Sequence, residues 1–182
     1  EHYFKLGEKI KIAFNKEFFN STTNLYCSGT QTELSGPLYW GLVPDEFKQK
    51  VADNLYKKVQ ATKFHLDVGL LGTKSLLNAL SENGYADAAY KIASQEDFPS
   101  WGYWIKNGAT TLYENWPLHV EKNDASLNHI MFGEIGAWMY KGLGGIFPDE
   151  NLPGFKHIIL KPNFVNGLDY FESEHESPYG KI

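Results

Sequence analysis

Cysteine is almost missing from this chain. Cys27 stands alone among 182 residues, which excludes an internal disulfide and any metal site built from several thiolates. No apolar run approaches the roughly 18–20 residues that span a bilayer. Charge of one sign is never concentrated. The net charge is −5, and lysines such as Lys48, Lys50, Lys57 and Lys58 are scattered over apparent helix surfaces. The basic patch of a nucleic-acid binder is therefore absent. Several chemical motifs also fail. GLLGTKS has the wrong glycine spacing for a phosphate loop, Gly142, Gly144 and Gly145 do not make GxGxxG, and there is no HExxH. The six histidines include no pair at i, i+4, so no metal site is expected. Asn20, Ser21 and Thr22 form a glycosylation triplet of a kind frequent by chance.

What is abundant is aromatic side chain, at 15%, within a 42% hydrophobic composition. That supports a packed core and excludes general disorder. The rings either pack that core or line a carbohydrate site, since flat amphipathic rings cover the C–H faces of sugars. The opening EHYFKLGEKIKIAFNKEFF is charged and periodic, unlike a secretory signal, and has no initiator Met. The expectation is a chain that begins inside a longer protein or after a removed segment.

Periodicity predicts a mainly helical fold. Leu6, Ile10, Phe14 and Phe18 mark a helix over 4–19. A short helix follows over 31–42 despite Pro37, and another starts at Pro44 and Asp45 with a single stripe of Phe47, Val51, Leu55 and Val59. Thr73 is a plausible N-cap for a helix carrying Leu76, Leu77 and Leu80. Asn83 and Gly84 end that helix, and another spans about 85–96. Short turns make these antiparallel hairpins. Residues 127–142 are apolar nearly all round, which predicts a helix buried on several sides. One-sided and all-round helices together suggest two layers. After Pro148, FKHIILKP reads as a strand, Asn166–Gly167 as a hairpin turn before LDYFESEHE, and SPYGKI as the start of a further strand.

The candidate chemistry lies in PSWGYWIKNGATTLYENW, where Trp101, Trp104 and Trp116 surround one carboxylate, Glu114. A carboxylate among large rings is partly desolvated, which suits general acid–base work. It can equally be a structural residue that caps a backbone or pairs with a lysine. His129, at the mouth of the 127–142 segment, is either a satisfied core histidine or a residue that binds a substrate hydroxyl. His65 and Asp67, in HLDVGLLGT, precede a helix. Asp67 is a cap or turn residue, or with His65 a sugar contact.

These same stretches resemble a known family. HLDVGLLGT, QEDFPSWGYWIKNGATTLYENW and SLNHIMFGEIGAWMYKGLGGI, with TQTELSGPLYWGLVPDE before them and PGFKHIILKP…GLDYFESEHESPYGKI after, are similar in order to motifs of bacterial α-L-rhamnosidases of glycoside hydrolase family 78. The resemblance implies part of an (α/α)6 toroid of helical hairpins in residues 1–146, and the first strands of a C-terminal β-sandwich in 147–182. It implies a glycosidase that removes terminal α-L-rhamnose with inversion and without a cofactor, the substrate being a rhamnose-containing glycoside or polysaccharide. Glu114 falls where the general base is expected, His129 matches a histidine that contacts the sugar, and Trp101 and Trp116 match aromatic positions beside the pocket. The family's general acid lies in an upstream acidic segment with no counterpart here. A complete toroid needs on the order of 300 residues, so a fragment inactive on its own is expected. Its uncovered inner face would favour self-association. A periplasmic or secreted bacterial home is favoured over the cytoplasm. Two alternatives stand beside this reading: another glycosidase on the same toroid, and a non-catalytic carbohydrate-binding or structural module.

Overall fold

The computed structural model describes residues 1–118 and 125–182. Helix α1 (His2–Phe18) leads into a short antiparallel ribbon of β1 (Phe19–Asn20) and β2 (Leu25–Tyr26). Two hairpins follow, α2 (Gln31–Tyr39) with α3 (Lys48–Ala61), and α4 (Leu70–Glu82) with α5 (Ala86–Ala93). Beyond them lie α6 (Trp101–Lys106) and α7 (Glu134–Trp138). Among the described residues no helix is long and apolar enough to cross a membrane.

The hairpins form the two layers that the periodicity implies. Helix α3 buries one stripe, Val51, Ala52, Leu55 and Val59, and α5 buries Ala86, Ala88, Ala89 and Ile92. Helix α4 is instead buried from Gly72 to Ser81 on almost every side, and its most extensive helix contact is with α2. Small residues make that approach possible. The Ser35 and Ser75 hydroxyls bond at 2.8 Å, and any Cβ at Gly72 would collide with the Thr32 hydroxyl and with Val68. The start of α2 is fixed by a reciprocal cap. The Thr30 hydroxyl accepts from the Glu33 N–H at 3.3 Å, and the Glu33 carboxylate accepts from the Thr30 N–H at 2.9 Å. That second bond holds the Glu33 carboxyl below its ordinary range.

Three local expectations are corrected. Thr73 is not a cap: α4 begins at Leu70 with Gly69 as N-cap, and the Thr73 hydroxyl donates to the Gly69 carbonyl at 2.9 Å from inside the first turn. Residues 127–142 are not one buried helix. A 3-10 turn (Ile130–Gly133), the single α-helical turn of α7 and a π turn (Met139–Leu143) succeed one another. Only Phe132, Trp138, Gly142 and Leu143 of these are buried, while Ile130 is 82% exposed. The physical reason is packing at one edge: the Trp138 indole N–H reaches the Ser81 hydroxyl of α4 at 2.9 Å, and Gly142 sits directly on the Trp138 ring, where a Cβ would not fit.

The third correction concerns the C-terminal strands. Strand β3 (Ile146–Pro148) pairs antiparallel with β4 (Ile158–Leu160), so only the centre of FKHIILKP is strand. Strands β5 (Glu176–Ser177) and β6 (Gly180–Lys181) form a separate tight hairpin. No strands pair across Asn166 and Gly167. Their turn is held to α5 instead: Asn166 donates its N–H and side-chain amide to the Asp87 carboxylate at 2.6 and 3.1 Å, and Tyr90 donates to the Gly167 carbonyl at 3.4 Å.

Candidate functional site

The site is built on α6 and the irregular chain after it. Ser100 caps α6 through the Tyr103 N–H at 2.9 Å and donates its own hydroxyl to the Asp97 carbonyl at 2.7 Å. Helix α6 then buries Trp101 and Trp104. Gly108, at φ +83°, turns the chain out of the helix in a conformation that favours glycine. Residues 111–114 run back alongside 126–129. Glu114 N–H donates to the Ser126 carbonyl at 2.9 Å, His129 N–H donates to the Leu112 carbonyl at 2.8 Å, and the Thr111 hydroxyl donates to the Leu127 carbonyl.

This ladder places the carboxylate. Glu114 is half-buried, and its Oε2 accepts the Ser126 N–H at 2.8 Å. One oxygen is therefore held by an uncharged backbone donor, which fixes the carboxylate without neutralising it. The ladder carries His129 as well. It caps the 3-10 turn through Nδ1, which accepts the Met131 N–H at 3.4 Å. In the neutral ring, Nε2 then carries the proton, so it can donate to a hydroxyl.

The three tryptophans brace this segment from below. Trp104 stacks on Trp116 at 4.6 Å, Trp101 meets Trp116 edge-on at 5.3 Å, and Phe132 closes against Trp116 at 4.3 Å. All three indole N–H groups are taken by backbone carbonyls. Trp101 donates to Phe132 at 3.0 Å, Trp104 to Trp116 at 2.9 Å and Trp116 to Val68 at 2.8 Å. Trp101 and Trp116 are only 6% and 9% exposed. Both rings pack beneath the loop that carries Glu114.

The bond from Trp116 to Val68 also brings the HLDVG loop to the site. The Asp67 carboxylate is exposed, and its N–H donates to the buried Gln31 amide oxygen at 2.9 Å. His65 lies on the same loop but points to Asp97, with Nε2 2.7 Å from Oδ1. That bond raises the affinity of His65 for its proton and lowers that of Asp97. The pairing partners Asp97, Gln31 and Ser126 escape sequence reasoning. Ser126 acts through its backbone, and Asp97 and Gln31 are far from their partners in the chain. Their one signal is polarity, in Gln31 at a helix start and in the acidic QED run before Pro99.

Comparison with known proteins bears on this geometry. Residues 1–143 match the family described as the bacterial alpha-L-rhamnosidase 6 hairpin glycosidase domain, and residues 145–182 match the bacterial alpha-L-rhamnosidase C-terminal domain. An alpha-L-rhamnosidase of Alteromonas sp. is 35% identical over 177 residues, covering 93% of this chain and 19% of that protein. The structure is similar to that of an alpha-L-rhamnosidase from Dictyoglumus thermophilum, with TM-score 0.88 and 36% identity over 99% of this chain and 20% of the other. It is also similar to a Streptomyces avermitilis alpha-L-rhamnosidase complexed with L-rhamnose, with TM-score 0.85 and 31% identity over 98% of this chain and 18% of the other. The chain spans between 16% and 20% of the length of the curated relatives it matches. It belongs to the bacterial alpha-L-rhamnosidase family, and its helical hairpins are part of that family's (α/α)6 toroid, followed by C-terminal strands.

Proposed function

We propose that this chain supplies the water-activating wall of an active site that removes terminal α-L-rhamnose from glycosides with inversion of the anomeric centre. The observation that carries the reading is the held carboxylate of Glu114. With Oε2 anchored on the Ser126 N–H, Oε1 is left to take a proton from a water. In inverting hydrolysis the base stands roughly 6.5–9.5 Å from the acid that protonates the leaving oxygen, so that a water fits between base and sugar. The acid is contributed by a part of the enzyme outside these 182 residues. His129 donates Nε2–H to a sugar hydroxyl and so fixes the ring against that water. The division into a helical unit, residues 1–146, and strands of a second unit, 147–182, belongs to the same proposal.

A panel of aryl glycosides tests it. The intact enzyme is expected to turn over the α-L-rhamnoside and to release β-rhamnose first, as followed by proton NMR of the anomeric signal. The 182-residue chain alone is expected to give no turnover, because it brings one carboxylate to a reaction that needs two. Retention of configuration, or strong turnover by the chain alone, would refute the assignment.

The exposed apolar side chains lead to a second expected outcome. Trp40 is 56% exposed, Leu71 75% and Ile130 82%, and they line one cleft of about 390 Å³. Single exposed apolar residues are ordinary, but a continuous patch favours association. The isolated chain is expected to self-associate, with light scattering giving a mass above 20.7 kDa. A monodisperse monomer at micromolar concentration would count against it.

A further inference from the structure

His65 has a hydrogen-bonding arrangement that a neutral imidazole cannot satisfy. Its Nε2 faces the Asp97 carboxylate at 2.7 Å. Its Nδ1 faces two carbonyl oxygens, those of Thr62 at 3.2 Å and Lys63 at 3.1 Å. All three neighbours are acceptors. The arrangement is fully satisfied only when both ring nitrogens carry hydrogen, which is the imidazolium. The loss of either proton turns a donor into a lone pair pointed at oxygen. The turn that ends α3 presents these carbonyls: Lys63 and Phe64 both adopt positive φ, at 53° and 61°, and the Phe64 N–H returns to the Val59 carbonyl at 2.9 Å. The carbonyl of His65 is itself held, by the Gln31 amide and the Thr62 hydroxyl, each at 3.0 Å.

The contact closes a ring of interactions around the base. From Asp97, the carbonyl takes the Ser100 hydroxyl at the cap of α6. Helix α6 carries Trp104, whose N–H holds the Trp116 carbonyl. The Trp116 N–H holds the Val68 carbonyl, and Val68 lies three residues beyond His65 on the same loop. Glu114 is two residues from Trp116. Broken at His65, the ring lets the Val68 acceptor and α6 move independently, and the segment bearing Glu114 is then held from one side only.

We propose that His65, as the imidazolium paired with Asp97, is a positioning residue for the general base, acting through Val68 and Trp116. This rests on the assignment of Glu114 made above. The charges around His65 leave Asp97 as its ionisable partner. Gln31 of α2 is neutral, Lys91 of α5 lies over the Phe64 ring at 4.9 Å, and Glu96 is engaged by Lys106 at 2.5 Å. Because the Asp97 bond favours the charged ring, the latch is closed at low pH. It opens as pH rises through the elevated pKa of His65.

The test uses the intact enzyme and an aryl α-L-rhamnoside, comparing wild type with His65→Gln, Asp97→Asn and Asp97→Glu. Since displacement of a base by about 1 Å can cost up to ~100-fold, His65→Gln is expected to lower kcat about tenfold at mildly acid pH, with KM little changed. Asp97→Asn keeps an acceptor but removes the charge, so the alkaline limb of kcat is expected to move to lower pH. Asp97→Glu is expected to return it towards wild type, because the Asp97 side chain is 75% exposed and has room to lengthen. Profiles of His65→Gln and Asp97→Asn that superimpose on wild type overturn the proposal. So does a fall in kcat for His65→Gln with an unmoved limb in Asp97→Asn, which would make the contact merely structural. A wild-type enzyme inert towards rhamnosides overturns the functional assignment itself, and the positioning role falls with it. Asp97 is exposed at the surface, so its variants keep the test valid if His65→Gln does not fold.

Discussion

Glu114→Gln in the intact enzyme is expected to lower kcat on an aryl α-L-rhamnoside by about 10²–10⁴-fold, the range that general acid–base catalysis contributes. At ~1.36 kcal/mol per factor of ten, that is roughly 3–5 kcal/mol of transition-state stabilisation. The substitution is chosen for what it keeps. A glutamine carbonyl oxygen can still accept the Ser126 N–H that now holds Oε2 at 2.8 Å. The backbone bonds from Glu114 to Ser126 and from His129 to Leu112 do not involve the side chain. The loop therefore keeps its shape while the proton acceptor is lost. KM should change by no more than a few-fold, because an interaction made only in the transition state lowers kcat without weakening ground-state binding. Steady-state kinetics at saturating substrate, with rhamnose binding measured separately, read both terms. Turnover equal to wild type would remove Glu114 from the chemistry. Lost turnover together with lost rhamnose binding would make Glu114 a ligand contact instead.

The residues differ in how much of this they announce in sequence. The hairpins are legible because an apolar residue every third or fourth position is the condition for burying one helix face, and α3 shows it plainly. The cap at Thr30 and Glu33 follows a local pattern too, although it becomes evident only once the start of α2 is known. Segment 127–142 misleads for a related reason. Its apolar residues are dense enough to suggest burial all round, yet Gly133, Gly136 and Gly142 interrupt it and its outward side chains stay exposed. Composition reports how much apolar surface a segment has and not which part of the molecule covers it. The site shows the same division. Glu114 and its tryptophans stand within one short stretch, so their association is visible in the chain. The donor that orients Glu114 is a backbone amide twelve residues away, and a backbone amide has no sequence signature. Asp97 meets His65 across 32 residues, a pairing that only the fold can make. The bonds by which Trp101 and Trp116 brace the loop end on main-chain carbonyls too, which leave no mark in the sequence.

Those supports carry the other large effect. Trp104 is 2% exposed and touches four rings or groups at once: it stacks on Trp116 at 4.6 Å, meets Phe132 edge-on at 5.4 Å, tilts against Tyr113 at 5.5 Å and donates to the Trp116 carbonyl at 2.9 Å. Trp104→Ala removes the most deeply buried of the three indoles of this cluster, and losses of about 3–5 kcal/mol are typical for such a truncation. It also leaves the Trp116 carbonyl without its donor, at a cost of about 1–3 kcal/mol when the group stays buried. Set against the ~5–15 kcal/mol that stabilises a whole domain, that sum is a large share of the total. Trp104→Phe separates the two contributions. It keeps an aromatic ring in the stack and loses the N–H, so about 1–3 kcal/mol is expected to go. Unfolding in urea, followed by tryptophan emission and by circular dichroism, ranks the variants. Wild type should have the highest midpoint, Trp104→Phe the next and Trp104→Ala the lowest, if it folds at all. Activity adds a second axis, because the Trp116 carbonyl lies two residues from the proposed base. Trp104→Phe should lose kcat before it loses its fold, and a fully active Trp104→Phe would mean that Glu114 is held by the Ser126 ladder alone.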